Sequence, residues 1–476
     1  MRIADLAGRR VAVWGYGREG KAACAALRAR LPESQLTVFC TDAEAIEVRR
    51  SGDSRDPGVD SAEGNRGCRR SYHAGEVAAI TTPPDAAALS AFNVVVKSPG
   101  ISAYRPEILE AQHNGTLVTS GTALWFAEHP EARVIAVTGT KGKSTVSALI
   151  AHLLRALGRR TALAGNIGLP LLELLDPPVM PDVWVIELSS FQTRTVPRVD
   201  IGVINNLYEE HLDWHGTRER YAKDKLSLAD AAQKLIVNGL QPELLARTAA
   251  HAHRSVFGDA SAWHVGDGAL FRANVRTFEL ADLPLAGPHN ALNICAALAA
   301  LEAAGEDAMS ALPHLRGFQP LPHRLQILGE RDGFTWVDDS IATTPQATLE
   351  ALASLPGRAV TVLVGGHERG LDWHAFAESM RLLPPHAIVA MGANGSRIAG
   401  VLREVAGHCR IESAGVLADA VAVARAITPQ GGVILLSPGA PSFDQFRDYA
   451  ERGRAFASIG GFDPTILGEI TGLGIA

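Results

Sequence analysis

The stretch Val134-Ile-Ala-Val-Thr-Gly-Thr-Lys-Gly-Lys-Ser-Thr-Val146 constrains this chain more than any other. Its apolar, β-branched start predicts a strand, its glycines a turn, and Val146-Ser-Ala-Leu-Ile-Ala-His-Leu-Leu154 a helix. A strand, a loop and a helix N-terminus in that order leave backbone N–H groups pointing outward with no intrahelical partner, and the helix dipole adds partial positive charge. Polyphosphate fits such a site. Lys143 would reach the β- and γ-phosphates, and a hydroxyl of Ser144 or Thr145 would ligate Mg²⁺. The strict loop G-x-x-x-x-G-K-[ST] has Gly at position 137, where this chain has Val137. The alternative is a glycine turn that merely joins strand to helix.

Composition bounds the remainder. A chain of 476 residues holds about two to four domains, and 47% hydrophobic with 20% charged residues places it among globular proteins. A net charge of −6 argues against a dedicated nucleic-acid binder. The five cysteines, at 24, 40, 68, 295 and 409, form no C-x-x-C pair, which suggests reduced thiols and a cytoplasmic setting. The opening Met1-Arg-Ile-Ala-Asp-Leu-Ala-Gly8 lacks the apolar region of a signal peptide, and no apolar run reaches membrane-spanning length, so no membrane is expected.

The chain begins with a strand at Arg10–Trp14, the turn Gly15-Tyr-Gly-Arg-Glu-Gly20, an alanine-rich helix, and a strand Leu36–Phe39 that ends near Thr41-Asp42. This matches G-x-G-x-x-G with an acidic residue about 20 positions on. Read alone it suggests an NAD(P)-binding oxidoreductase, or glycines that merely close a strand–helix turn. Residues 51–75 have no apolar period and read as a mobile loop. Asn93–Lys97 resumes a buried strand that leads into Ser98-Pro-Gly100, and a helix near Thr122–Glu128 precedes the phosphate loop. Val183–Ile186 and Ile201–Ile204 read as central parallel strands, and a long helix runs from Gly287 to Ala304. Phe318–His323 reads as a linker. A third α/β unit follows, with strands at Phe334–Val337, Val360–Val364, Ala387–Met391 and Gly432–Leu436.

Polar chemistry sits at successive strand ends, where open α/β sheets bind ligands. Gly165-Asn-Ile-Gly168 offers a side-chain amide and backbone N–H groups, Glu187-Leu-Ser-Ser-Phe-Gln192 a carboxylate, and Asn205-Asn-Leu-Tyr-Glu-Glu-His-Leu-Asp213 acids and a histidine. His211 and His215 form H-x-x-x-H. Zinc catalysis is disfavoured, because Leu212 stands where H-E-x-x-H needs Glu, and Trp214 and Gly216 disfavour a helix.

These motifs, in this order, resemble the Mur ligase family, which joins amino acids to the UDP-linked muramoyl precursor of peptidoglycan. The resemblance runs from the first glycine turn to Arg447. It is carried by Thr138–Thr145, Glu187–Gln192, Glu210–Asp213, Gly287-Pro-His-Asn-Ala-Leu-Asn293, Pro322-His-Arg324 and Asp338-Asp-Ser-Ile-Ala-Thr343. Leu436-Ser-Pro-Gly-Ala-Pro-Ser-Phe-Asp-Gln-Phe446 resembles the glutamate-adding branch. The resemblance implies three α/β domains: a Rossmann-like UDP-substrate domain (1–121), a central P-loop ATPase-like domain (122–320) and a C-terminal Rossmann-like glutamate domain (321–476). It implies an ATP-dependent ligase of cell-wall synthesis that passes through an acyl phosphate, with ATP, Mg²⁺ at two sites, UDP-N-acetylmuramoyl-L-alanine and glutamate as ligands.

The residue roles that follow are those of the family. Gly139, Thr140, Lys141, Gly142, Lys143, Ser144, Thr145, Asn290, Arg324 and Asp339 would contact ATP. Gly15, Gly17, Arg18, Thr41, Asp42, Ser98, Pro99, Gly100 and Asn166 would hold the UDP substrate. Ser144, Thr145, Glu187 and His211 would ligate metal, together with Lys225 as a carbamate, whose anionic oxygens suit a hard cation. Lys143, Glu187, His211 and Lys225 form the implied catalytic set. Without the resemblance, Lys225 in Tyr221-Ala-Lys-Asp-Lys-Leu226 reads as solvated surface.

The chain departs from the branch in the third domain. Asp339-Ser-Ile-Ala-Thr-Thr344 has Ile341 where the branch has lysine, and Gly365-Gly-His-Glu-Arg369 has Arg369 where it has lysine. Thr343, Arg369, Ser442 and Tyr449 fall where the branch binds glutamate. A rebuilt amino-acid pocket beside intact nucleotide motifs resembles the variant that adds L-glutamate, whose product a separate glutamyl epimerase inverts. The alternatives are an ordinary D-glutamate ligase, a folylpolyglutamate synthetase sharing the central domain, and a nucleotide-gated binding protein without ligase chemistry. A monomer is expected.

Overall fold

The computed structural model describes residues 1–52, 77–208, 212–285, 287–468 and 470–476. The chain divides into two compact units, one of Met1–Leu283, His289–Phe318 and Gly472–Ala476, the other of Pro284–Pro288 and Gln319–Thr471.

Among the described residues the first unit holds an all-parallel sheet, a second sheet that is parallel except at one edge, and one small antiparallel sheet. The first sheet has the spatial order Val77–Ile80, Leu36–Phe39, Val11–Trp14, Val94–Lys97, Leu117–Thr119, with every pair parallel. Its central strands Val11–Trp14 and Val94–Lys97 are buried throughout, as their continuous apolar runs require of strands covered on both faces. The helix Asp42–Gly52 takes in the first two residues of the segment expected to be a loop, and residues 53–76 lie outside the described residues.

The second sheet runs Arg254–Phe257, Ala232–Asn238, Val199–Ile204, Val134–Thr138, Val183–Glu187, Thr161–Gly165, Gly474–Ile475. All pairs are parallel except the last, in which the end of the chain pairs antiparallel with Thr161–Gly165. Arg155 ties that end down, donating from Nη1 to the Gly472 carbonyl at 2.7 Å and from Nη2 to that of Gly474 at 2.9 Å. The strand Val134–Thr138 lies at the middle and is wholly buried. The helix Lys143–Ala156 follows it, with Val146, Leu149, Ile150, Leu153 and Leu154 fully buried at helical spacing.

The antiparallel sheet of Trp263–Gly266, Ala269–Arg272 and Val275–Glu279 has no counterpart in the sequence reading. Its first hairpin turns at Asp267-Gly268, both with positive φ (+43° and +74°), which is the Asp-Gly signal of a tight hairpin. The segment Leu212–His215 also forms one helical turn, contrary to expectation. Gly216, at φ +78°, ends it, so glycine acts here as a terminator rather than as a bar to helix formation.

The second unit is built on the order Gln326–Arg331, Phe334–Asp338, Val433–Leu436, Val360–Val364, Ala387–Ala390, Ile411–Ser413, parallel except for the antiparallel edge strand Gln326–Arg331. Two apolar clusters, one around Trp373 and Phe376 and one around Trp336 and Phe456, cover its two faces. The expected α/β class is what both units adopt. Among the described residues no helix is long and apolar enough to cross a membrane, and Cys24, Cys40, Cys295 and Cys409 are free thiols.

Candidate functional site

The phosphate loop opens at the carboxyl end of the strand Val134–Thr138. Gly139 has φ +154° and Gly142 has φ +75°, so both adopt conformations that side chains disfavour. Space excludes a side chain as well: a Cβ on Gly142 would lie 2.4 Å from Asn293 Oδ1 and 2.5 Å from Asn205 Nδ2. Gly142 caps the helix Lys143–Ala156 without a side-chain bond, leaving the helix N-terminus to accept an anion. Lys143 Nζ donates to the Thr140 carbonyl at 3.0 Å, which folds the cation back over the loop. Ser144 and Thr145 are buried in the first helical turn.

The following strand end braces this loop. Asn206 Oδ1 accepts from the Lys141 amide at 2.7 Å, while Asn205 Nδ2 and Asn206 Nδ2 each donate to the Lys141 carbonyl at 3.0 Å. Asn205 Nδ2 also reaches Asn293 Oδ1 at 2.8 Å, and Asn293 Nδ2 donates to Asn290 Oδ1 at 3.2 Å. The structure thus links Asn290 to the loop through Asn293. Asn205, Asn206 and Asn293 were not singled out as site residues from sequence, although consecutive asparagines closing an apolar strand are an available signal. Thr140 Oγ1 lies 2.6 Å from the Tyr221 hydroxyl, joining the loop to the helix Arg218–Ala231.

Glu187 ends its strand 1% exposed. Asn166 Nδ2 donates to its Oε1 at 2.7 Å, and its Oε2 is buried with no hydrogen-bond partner among the described residues. A buried carboxylate oxygen left unpaired is costly unless a cation completes it, and a hard divalent cation suits that donor. The unpaired carboxylate oxygen of Glu187 therefore fits a hard divalent cation such as Mg²⁺. Among the described residues no three His, Cys, Asp or Glu side chains converge as a preformed metal cluster. His211, another expected ligand, lies outside the described residues.

Lys225 is not the solvated residue that composition alone suggests. It is 2% exposed on the helix Arg218–Ala231, with Nζ 4.9 Å from the centre of the Tyr221 ring. Its neighbour Asp224 accepts from the Tyr104 hydroxyl at 2.8 Å and pairs with His215 Nδ1 at 2.9 Å. His215 Nε2 lies 3.0 Å from Ser190 Oγ. Both ring nitrogens of His215 are therefore engaged, which disposes of it as a zinc ligand. Sequence reading did not single out Tyr104, Ser190, His215 or Asp224 as a network, because their positions are distant along the chain.

The first glycine turn is shaped by the same spatial limits. A Cβ on Gly20 would sit 1.9 Å from the Gly15 carbonyl, whereas one on Gly17 would meet nothing within 4 Å. The open position at Gly17, at the N-terminus of the helix Arg18–Arg30, is where a ligand's phosphate can approach backbone. Ser98 Oγ donates to the Gly15 carbonyl at 3.1 Å, and Trp214 Nε1 donates to the Pro99 carbonyl at 3.0 Å. Gly100 lies in open space beside them. The nearest Arg18 atom to a Cβ on Gly168 would be Nη1 at 3.7 Å, so Arg18 lies beside the Gly165–Gly168 turn that carries Asn166. Thr41 and Glu44 cap the helix Asp42–Gly52, with the Thr41 amide donating to Glu44 Oε2 at 2.9 Å; both Thr41 and Asp42 are exposed. Lys97 is buried beneath this loop, donates to the Ile101 carbonyl at 2.9 Å, and is pushed down to about 8 by burial and the nearby Arg194 charge.

In the second unit Arg324 is flanked by His323 and Leu325, both with positive φ (+62° and +47°), a strained bend for non-glycine residues. The bend is fixed by His323 Nδ1 to Asp338 Oδ2 at 2.6 Å and by the Leu325 amide donating to Asp339 Oδ1 at 3.2 Å. Asp339 Oδ2 accepts from Ser437 Oγ at 2.7 Å. Burial pushes the Asp339 carboxyl up to about 7, against the lowering pull of these hydrogen bonds. Thr343 is half-buried, Arg369 exposed, Ser442 buried, and Tyr449 begins the helix Tyr449–Gly460.

The Mur ligase middle domain matches residues 137–301, and the Mur ligase glutamate ligase domain matches residues 323–439. The UDP-N-acetylmuramoyl-L-alanine--L-glutamate ligase of Xanthomonas euvesicatoria pv. vesicatoria is 48% identical over 100% of both chains. The protein of the same description from Salinispora tropica is 39% identical over 96% of this chain and 98% of its own. Among solved structures, the UDP-N-acetylmuramate-alanine ligase of Thermotoga maritima shares the fold with a TM-score of 0.58 at 16% identity, over 94% of this chain and 98% of that one. The chain belongs to the Mur ligase family, whose members are ATP-dependent amide ligases.

Proposed function

We propose that this Mur ligase joins L-glutamate to UDP-N-acetylmuramoyl-L-alanine at the expense of ATP in peptidoglycan precursor synthesis. The observation that carries the reading is full-length likeness, at 48% identity, to a ligase described by that activity. The braced phosphate loop and the half-paired Glu187 carboxylate support it independently.

In this reading the γ-phosphoryl group passes to the carboxylate of the muramoyl-bound L-alanine. The amine of glutamate then attacks the acyl phosphate, and the tetrahedral intermediate collapses to amide and phosphate. Lys143 and the N–H groups at the start of Lys143–Ala156 stabilise charge on the transferring phosphoryl oxygens, in a step dominated by positioning and electrostatics. Ser144, Thr145 and Glu187 would hold one Mg²⁺, and His211 with Lys225 as a carbamate a second; the ions supply charge neutralisation of the phosphates. Arg324 and Asp339 would contact the nucleotide. Gly15, Gly17, Arg18, Thr41, Asp42, Ser98, Pro99, Gly100 and Asn166 hold the uridine substrate, and Thr343, Arg369, Ser442 and Tyr449 the amino acid. Arg369 suits a carboxylate, because its planar fork donates two parallel hydrogen bonds.

The enzyme acts as a cytoplasmic monomer, and a glutamyl epimerase consumes its product. The test of the acyl phosphate is trapping with hydroxylamine during turnover. A hydroxamate of the muramoyl substrate formed only with ATP supports the route. Full ligase turnover without any trapped hydroxamate or exchange of carboxylate oxygen into phosphate contradicts it.

A further inference from the structure

Arg452 lies in the first turn of the helix Tyr449–Gly460 and is 1% exposed. A guanidinium rarely occupies such a place unless it is fully paired. Its Nε donates to Ser340 Oγ at 3.1 Å, and its Nη2 donates to the Ser340 carbonyl at 2.8 Å and to the Ala440 carbonyl at 3.0 Å. Ser340 Oγ in turn donates to the Tyr449 carbonyl at 2.7 Å. The Nη1 nitrogen is buried with no hydrogen-bond partner among the described residues. It borders Gly366: a Cβ there would lie 3.1 Å from Nη1 and 2.3 Å from the Pro441 carbonyl. Burial pushes the guanidinium down to about 10, against the raising influence of Asp444 and Asp338, which leaves it a cation at neutral pH.

The surroundings of this one side chain are informative. Ser340 precedes Thr343, Gly366 precedes Arg369, Ala440 precedes Ser442, and Tyr449 starts Arg452's own helix. All four segments proposed to hold the incoming amino acid thus meet the same guanidinium, directly or through Ser340. The sequence provides for this locally. Gly453 leaves room for the His323–Asp338 pair, since a Cβ on it would lie 2.2 Å from His323 Nδ1.

We propose that Arg452 is a positioning residue for amino-acid selection: it sets the spacing of the four segments, and so the order in which their donors meet the carboxylates of the substrate. It makes no contact with substrate in this arrangement, because Nη1 is closed to solvent. Discrimination between enantiomers depends on where donors sit, and a shift of about 1 Å in a positioning group is enough to cost large factors in rate. Lysine would keep the charge but not the fork that grips Ser340 twice and Ala440 once. This inference rests on the proposed glutamate ligase activity.

The experiment measures phosphate release by wild type, Arg452→Lys and Arg452→Ala, each with ATP, UDP-N-acetylmuramoyl-L-alanine and L- or D-glutamate. The expected result for Arg452→Lys is a fall of at least about tenfold in kcat/KM for L-glutamate and a narrowed ratio between enantiomers. KM for ATP and for the uridine substrate should stay within about twofold. Arg452→Ala should regain amino-acid-dependent turnover on addition of guanidinium at millimolar concentration, with its fold checked by circular dichroism. The inference is overturned if Arg452→Lys keeps the wild-type glutamate parameters and enantiomer ratio, or if the loss falls equally on all three substrates. Absence of glutamate-dependent release by the wild type would instead sink the proposed activity, so the two failures are distinguishable.

Discussion

Replacing Glu187 with glutamine tests whether this carboxylate is held in place for a cation. Asn166 Nδ2 donates to Oε1 at 2.7 Å, while Oε2 is buried without a partner among the described residues. In the metal-free protein the substitution weakens the Asn166 bond from charge-assisted to neutral, a loss of about 1 kcal/mol. It also replaces a buried, unpaired anionic oxygen with a buried, unpaired neutral amide nitrogen, whose smaller desolvation cost returns about 1–2 kcal/mol. The sum lies within about 1 kcal/mol of zero, so Glu187→Gln should be about as stable as wild type in EDTA. With Mg²⁺ and ADP at a hundred times their dissociation constant, wild type should gain about 2.7 kcal/mol by mass action. A variant whose affinity has fallen a hundredfold should gain only ~0.4 kcal/mol under those conditions. Urea unfolding with EDTA, and with Mg²⁺ plus ADP, measures both quantities. A variant destabilised by more than about 2 kcal/mol in EDTA, or one with the full ligand-dependent gain, would refute the reasoning.

Two further outcomes rest on the proposed mechanism and a third on the burial of Asp339. Lys143→Ala should reduce kcat at least a hundredfold with little change in KM for the uridine substrate, because the lost charge acts on the transferring phosphoryl group; steady-state kinetics checks this split. Lys225→Ala should be nearly inactive and partly rescued by a short carboxylic acid such as acetate or propionate, and a fully active variant would show that its burial serves packing alone. Because the Asp339 carboxyl is pushed up to about 7 from 3.8, the folded state keeps a proton that the unfolded chain has released. Its contribution to stability is thus present below about pH 4 and lost as pH rises toward 7. Asp339→Asn should flatten the pH dependence of the melting temperature over that window, and an unchanged slope would count against it.

Much of the architecture was legible because each signal was local. The strands at Val134–Thr138 and Val183–Glu187 are continuous apolar runs, and the two glycine turns sit where backbone must pass within contact distance of a neighbouring carbonyl or amide. The antiparallel hairpins from Trp263 to Glu279 were missed although Asp267-Gly268 marks one of them, since the alternating helix and strand pattern around them favoured a uniformly parallel reading. The pairing of Gly474–Ile475 with Thr161–Gly165 joins positions about 310 residues apart, and nothing in a two-residue strand announces its partner. The site divides along the same line. Lys143 and its loop follow from one contiguous motif, whereas the Tyr104–Asp224–His215–Ser190 chain and the Arg452 clamp are assembled from distant segments by tertiary packing. The burial of Lys225 is the sharpest case: its charged neighbours in sequence suggest solvent, and only the fold places it beneath Tyr221.

The central claim is that this ligase selects L-glutamate. Its most direct test is the ratio of kcat/KM for L- and D-glutamate, measured by phosphate release with saturating ATP, Mg²⁺ and UDP-N-acetylmuramoyl-L-alanine, with the product identified by mass. The account predicts a ratio of at least about ten in favour of L-glutamate, equivalent to ~1.4 kcal/mol of differential transition-state binding. Equal use of the two enantiomers, or preference for D-glutamate, would contradict it.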